Sequence, residues 1–166
     1  MGDERAPHPH RWAMLAGVWM VYFCFGSTAA AMAPLVSRIT AELDLSHTQM
    51  GSILGAWQLV YIGAAIPCGA LLDRLGPRRG LALGALVVAA SGILRGIAND
   101  YLSLLLAVGV FGIGGPLVSV GAPKVISEWF VGRERGLAMG IYNVGQALGT
   151  IGALLLCSSI GLELAG

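Results

Sequence analysis

Residues 69–81 read Gly69-Ala70-Leu71-Leu72-Asp73-Arg74-Leu75-Gly76-Pro77-Arg78-Arg79-Gly80-Leu81. The stretch sets one acid and three arginines between two long apolar runs. A charge at the centre of a bilayer costs roughly 2.5–3.5 kcal/mol on insertion scales, so Asp73, Arg74, Arg78 and Arg79 belong at a membrane surface, in a loop. The runs on either side are then predicted to be membrane helices.

Working outward, the whole chain has the same character. Of its 166 residues 56% are hydrophobic and only 11% charged, and the mean hydropathy is +0.76, which is outside ordinary soluble usage. Five stretches are long enough to cross about 30 Å of hydrocarbon at 1.5 Å per residue: 12–36, 51–72, 79–98, 101–122 and 136–160. The expected fold is all-α, a polytopic bundle of five membrane helices. Residues 1–11 form a tail at one end and 161–166 an outer end at the other. Lys and Arg collect on one side of these spans, as Arg5, Arg11, Arg74, Arg78, Arg79, Lys124, Arg133 and Arg135, against Arg38 and Arg95 on the other. Cytoplasmic loops hold the excess of positive charge, so the amino terminus and the 69–81 loop are predicted inside and the carboxyl terminus outside, in the cell membrane.

A cleaved signal peptide competes for the first span, because Arg11 precedes an apolar core and Ala31-Met32-Ala33 imitates a cleavage site. The apolar run continues to Val36, longer than a signal core, and four more spans follow, so the segment is expected to stay. Cys24, Cys68 and Cys157 each fall inside a span without a Cys pair or nearby His, and read as small buried apolar residues. His8 and His10 lie in the tail and His47 in the outer loop; no metal, cofactor or nucleic-acid partner is expected. Residues 37–44 should prolong the first helix briefly, and Ser46 with Gln49 three residues on predicts a capping box opening the second. The short Asn99-Asp100 link makes the third and fourth helices antiparallel neighbours.

Glycine supplies 25 residues, many four apart: Gly51 and Gly55, Gly80 and Gly84, Gly136 and Gly140, Gly145 and Gly149. In lipid, small residues that let backbones approach closely supply the packing, so these pairs predict tight helix contacts. Gly112-Ile113-Gly114-Gly115-Pro116 lacks the preceding strand and following acid of a nucleotide-binding turn, and reads as a thinned, bendable helix.

The pattern G-x-L-x-D-R-x-G-x-R-R, carried by Gly69, Leu71, Asp73, Arg74, Gly76, Arg78 and Arg79 and followed by Leu81, resembles the signature of the major facilitator superfamily, with Pro77 where that family more often has a basic residue. The likeness runs on through Pro34, the Leu45-Ser46 break, the 112–115 glycines, and Trp129-Phe130 before Arg133-Glu134-Arg135-Gly136. It implies the first five of twelve helices, an incomplete amino-terminal half of a transporter that rocks two halves about a midplane site. Its missing partner would be the carboxyl-terminal half. The resemblance implies that Asp73 latches the halves by facing the positive end of a helix in the second, that Gly69 permits its close approach, and that Arg74, Gly76 and Arg78 hold the loop. Plain positive-inside anchoring is the competing account of the arginines.

The chain departs from two family patterns. Ala107 and Val108 stand where many proton-coupled members carry a buried arginine, and Gly149-Thr150-Ile151-Gly152-Ala153 is not the drug-antiporter pattern. No Asp or Glu lies deep in a span to carry a proton. Polar residues inside the spans mark the candidate substrate path: Tyr22 and Thr28 on the first helix, Gln58 and Tyr61 beside Trp57 on the second, and Tyr142, Asn143 and Gln146 on the fifth. Polar glue between helices explains each about as well. Arg95, Arg38 and Lys124 would attract an anion, and snorkelling to head groups is the alternative for each. Likeness to cyanate, nitrate and monocarboxylate members makes a small organic or inorganic anion the expected solute. A non-transporting membrane remnant or scaffold is the alternative. An enzyme is not expected, since there is no carboxylate pair, His cluster or Ser/His/Asp set.

Overall fold

Ser46 shows how local chemistry starts a span. Its Oγ accepts the Gln49 backbone N–H at 3.2 Å, and Gln49 Oε1 accepts the Ser46 N–H at 2.8 Å, the reciprocal capping box expected from the sequence. The computed structural model describes residues 9–163, with side chains described to residue 159. Its helices are α1 (Arg11–Ala30), α2 (Val36–Glu42), α3 (His47–Leu75), α4 (Pro77–Gly96), α5 (Tyr101–Trp129) and α6 (Gly132–Glu163), with a single 3₁₀ turn at Ala33–Leu35 between α1 and α2. No strand occurs among the described residues. Arg5, His8 and the 164–166 end lie outside them.

Five segments are long and apolar enough to cross a membrane: α1 with its extension to Glu42, α3, α4, α5 and α6. Large apolar side chains stand outward along them, with Leu59 74%, Ile66 84% and Leu86 68% exposed. In water such a surface would be costly, and with five segments of this length and apolarity the chain is a multi-pass membrane protein.

The helices differ from the expected spans where backbone chemistry overrides hydropathy. The first span does not run unbroken to Val36. It stops at Ala30, because Pro34 has no N–H to give the Ala30 carbonyl and its ring crowds that carbonyl; the chain makes a 3₁₀ turn and resumes as α2. The fourth does not end at Ala122 but continues through Pro123 and Lys124 to Trp129, leaving the apolar stretch behind. Between α3 and α4 a single residue turns the chain: Gly76 has φ +81° and serves as the end of one helix and the start of the next. Only glycine enters that region cheaply, and Pro77 at the first position of α4 has its φ preset for a helix. At the other end Asp100 Oδ1 accepts the Ser103 N–H at 2.7 Å, and Ser103 Oγ accepts the Asp100 N–H at 3.2 Å.

Packing sorts the helices into two blocks. α5 lies between α3 and α4 along its length, and α1 pairs with α6; contacts between the blocks are sparse. Glycine makes both blocks possible. A Cβ on Gly112 would lie 2.6 Å from the Trp57 carbonyl oxygen, on Gly114 2.9 Å from Val88, on Gly115 2.6 Å from Tyr61, and on Gly84 2.8 Å from Leu117. In the other block a Cβ on Gly145 would lie 2.8 Å from the Trp19 carbonyl, and one on Gly26 or Gly149 would collide with the carbonyls of Gln146 or Phe23. The glycine expectation therefore holds for the pairs 80/84 and 145/149. It fails for Gly51 and Gly55 and for Gly136 and Gly140, where an added Cβ meets nothing within 4 Å. These four point away from the neighbouring helices, a distinction that four-residue spacing alone does not carry. The glycines of the 112–116 run are buried on both flanks of α5, where they seat α3 and α4.

Candidate functional site: the seam between the helix blocks

Where the blocks meet, rings from four helices form a continuous chain. Tyr142 of α6 meets Tyr22 of α1 edge-on at 4.6 Å between centroids. Tyr22 lies 6.4 Å from Phe25, which stacks on Phe111 of α5 at 5.0 Å. Phe111 meets Trp57 of α3 at 5.7 Å, and Trp57 meets Tyr61 at 6.4 Å. The Tyr61 hydroxyl then shares a 2.8 Å hydrogen bond with Ser119 Oγ on α5. Edge-to-face and offset pairs of this kind contribute about 0.5–1.5 kcal/mol each beyond their buried area. Among these contacts the Phe25–Phe111 stack is the one that crosses between the blocks; the others lie within the α1–α6 pair or within the α3–α4–α5 trio.

The sequence-derived candidates separate into two groups around this chain. Tyr22, Tyr61 and Tyr142 belong to it, with Trp57 beside Tyr61 as expected from their spacing. Gln58 is exposed. Asn143 is also exposed, its Nδ2 donating to the Met139 carbonyl of its own helix at 2.9 Å. Gln146 is half-buried, with its backbone pressed against Gly26. Thr28 gives its hydroxyl to the Cys24 carbonyl at 2.8 Å. Phe25, Phe111 and Ser119 were not among the candidates; the i, i+3 spacing of Tyr22 and Phe25 was the legible signal for one of them.

The three basic residues considered for anion attraction have different fates. Arg38 donates to Glu42 Oε1 at 2.6 Å and Lys124 to Asp73 Oδ1 at 2.5 Å. Arg95 does neither that nor snorkel: its guanidinium carbon sits 5.0 Å over the Phe111 ring and Nη1 donates to the Thr28 carbonyl at 2.8 Å.

At the signature-loop end, the Asp73–Lys124 pair ties α3 to the extension of α5, and both side chains remain well exposed. An intrachain partner for Asp73 was not foreseen, because the span was expected to end before Lys124. Arg78 lies 4.3 Å over the Trp129 ring, a cation–π contact between the start of α4 and the end of α5. Arg74 closes the last turn of α3, where a cation meets the negative end of the helix dipole. A Cβ at Gly69 meets nothing within 4 Å, so that face of α3 is open. Arg11 spans the other block at the same end, donating to both carboxylate oxygens of Glu134 at 2.6 and 3.3 Å.

Two helix blocks, each packed through glycines and meeting along an aromatic seam with a charged turn at one end, define a polytopic α-helical membrane protein. Residues 18–165 match the Major Facilitator Superfamily, and the chain belongs to that family. It is 37% identical over 111 residues to the "Probable L-galactonate transporter" of Escherichia coli strain K12, covering 67% of this chain and 24% of that protein. It is 31% identical over 144 residues to the "Hexuronate transporter" of the same strain, covering 85% and 33%. To the "Nitrate/nitrite transporter NrtP" of Nostoc punctiforme it is again 31% identical over 144 residues, covering 86% and 28%. The chain thus spans about a quarter to a third of the length of these relatives.

Proposed function

We propose that this chain contributes five helices to a transporter that moves a small anionic solute across the membrane by alternating access, with the amino terminus and the 69–81 loop on the cytoplasmic side. The seam supports this reading best: the blocks are joined by the Phe25–Phe111 stack and by Arg95 donating to the Thr28 carbonyl, side-chain contacts that shift at lower cost than the close backbone contacts that glycines allow inside each block. The relatives named above carry galactonate, hexuronate and nitrate in their names, all anions at neutral pH. Tyr22, Tyr61, Tyr142, Asn143, Gln58 and Gln146 supply hydroxyl and amide donors along or beside the seam, and Arg95 supplies the charge.

Asp73 has two roles in this proposal. In the conformation described here it is held by Lys124; in the complete transporter it also faces a helix of the other half, across the open surface at Gly69. The test is uptake of radiolabelled galactonate and nitrate by vesicles carrying this chain alone or with a complementary carboxyl-terminal half. Uptake that Asp73→Asn slows on the order of tenfold, with insertion unchanged, supports the latch. Absence of uptake under both conditions, with the protein correctly inserted, favours a non-transporting scaffold. Arg78 accessible to a membrane-impermeant label only from outside would reverse the proposed orientation.

A further inference from the structure

Tyr61 is gripped by two residues of α5 that lie one turn apart on the same face. A Cβ on Gly115 would lie 2.6 Å from Cδ2 and 3.0 Å from Cε2 of the Tyr61 ring, so the ring is seated where α5 has no side chain. Four residues on, Ser119 Oγ shares its 2.8 Å hydrogen bond with the Tyr61 hydroxyl. Positions i and i+4 of a helix are neighbours about 5–6 Å apart, a separation that a phenol ring and its oxygen bridge.

Ser119 departs from four other helix hydroxyls. Ser27, Thr28, Thr40 and Ser127 each give theirs to a carbonyl three or four residues back in their own helix. Ser119 turns across to α3 instead, and Tyr61 is its one hydrogen-bond partner among the described residues. Helix glue does not account for this turn. One turn away α3 and α5 already meet closely, where a Cβ on Gly112 would lie 2.6 Å from the Trp57 carbonyl oxygen, and a hydroxyl pair adds only modestly to such a contact. What the pair does fix is the phenol, with Ser119 at its oxygen, Gly115 under its ring and Trp57 edge-on at 6.4 Å.

We propose that Ser119 is a positioning residue for the transported anion: it holds the Tyr61 hydroxyl in one orientation on the seam, ready to donate to an oxygen of the solute. This rests on the transport proposal and adds to it a residue that acts on the solute through Tyr61. Two hydroxyls carry two hydrogens and their mutual bond uses one. With the anion bound, Ser119 donates to Tyr61 Oη and the phenol hydrogen, the more acidic of the two, goes to the solute; bonds in such a chain strengthen one another. A donor aligned beforehand loses little freedom when the solute arrives.

Two measurements separate this role from the proposal it rests on. The first needs no transport: the whole chain is labelled with 3-fluorotyrosine and purified in detergent, and its Tyr61 fluorine line is identified by its loss in Tyr61→Phe. Ser119→Ala removes a single oxygen and is expected to shift and broaden that line while the other tyrosine lines stay; Ser119→Thr restores it. A line unmoved in Ser119→Ala overturns the hold. The second is uptake of radiolabelled galactonate by vesicles carrying the chain with the complementary carboxyl-terminal half. In Ser119→Ala KM rises about tenfold, far more than Vmax falls; Tyr61→Phe raises it at least as much, and the double variant no further than Tyr61→Phe alone. Ser119→Thr keeps most of the parent affinity. Helix glue predicts the opposite split, a lower thermal midpoint at unchanged KM. An unchanged KM, or effects of the two substitutions that simply add, overturn the positioning role. No uptake by the parent overturns the transport proposal and the solute role with it, while the fluorine line still decides whether Ser119 holds Tyr61.

Discussion

The α1–α6 pair and the α3–α4–α5 trio bury their interfaces by different means. In the pair, glycines on both helices set backbone against backbone: Gly26 against Gln146, Gly145 against Trp19, Gly149 against Phe23. Ser27 adds a hydroxyl that reaches the Gly149 carbonyl at 3.0 Å. In the trio, most glycines lie on the central helix and mainly receive side chains, Val88 over Gly114 and Tyr61 over Gly115, with Gly112 against the Trp57 carbonyl as the exception. α5 consequently has neighbours along two faces and is the most buried helix, while α1 has one broad neighbour and keeps Met20 61% exposed on another side. Carbonyls cannot yield as rotamers do, so the pair is the less forgiving interface, and the trio can accommodate small shifts by repacking.

The contrast is sharpest at Gly149. Gly149→Leu forces α1 and α6 apart at the Phe23 carbonyl, and overpacking that moves backbone costs about 3 kcal/mol or more. Folded, monodisperse protein recovered in detergent should fall severely. Gly140→Leu on the same helix and Gly55→Leu on α3, both open positions, should leave it nearly unchanged. Equal losses at all three positions would show that glycine matters here through helix flexibility and not through contact.

Next in size is the ring chain joining the blocks. Phe111 is 1% exposed and touches Phe25, Trp57 and Arg95. Phe111→Ala should cost about 3–5 kcal/mol by the cavity it leaves, measured as a drop in thermal midpoint. Because it sits on the seam, proteolysis should find the two blocks separating before either one opens. Cleavage first appearing inside α3–α4–α5 would break the two-block description.

Much of this was legible in the sequence, for identifiable reasons. Five spans, the capping box at Ser46 and the antiparallel α4–α5 turn follow from hydropathy and from side chains that bond within three residues of themselves. The signature loop was legible as a surface turn because charge cannot sit in hydrocarbon. What was not legible depended on direction around a helix or on distance through space. Nothing at four-residue spacing distinguishes Gly145 from Gly136, yet one meets a carbonyl and the other open space. Lys124 was separated from Asp73 by a boundary placed where apolarity ends, although the helix continues past it. Arg95 reads as a residue able to snorkel, and its inward turn is set by a carbonyl of α1, 67 residues away in the chain.

A smaller effect is expected at the Arg11–Glu134 pair, which ties α1 to α6 at the signature-loop end. Both hydrogen bonds are made, but the side chains are 22% and 47% exposed, and pairs near water contribute about 0.2–1 kcal/mol. A double-mutant cycle with Arg11→Gln and Glu134→Gln should return a coupling in that range and shrink further at high salt. Coupling well above it would show that this end of the pair is shielded more than its exposure suggests, and would narrow the difference between the blocks.

The smallest expected effect lies in the trio, at the start of α5. The Ser103 backbone N–H, bonded to the Asp100 carboxylate, holds that carboxyl below its usual range. A carboxyl with a lowered folded-state value stabilises fully above its unfolded value, about 4, and loses that contribution as pH falls through the folded one. Hydrogen exchange at the first turn of α5 should therefore be slow and level from pH 7 down to about 5, once corrected for intrinsic rates, and quicken below pH 4. Asp100→Asn keeps an oxygen acceptor without a titrating charge and should flatten that profile while leaving exchange at pH 7 close to the parent. The first turn of α3, capped by neutral Ser46, provides the internal control: its exchange should not respond to acid in either protein. An acid response at both turns would mean that the whole bundle loosens at low pH and that the Asp100 cap is not its cause.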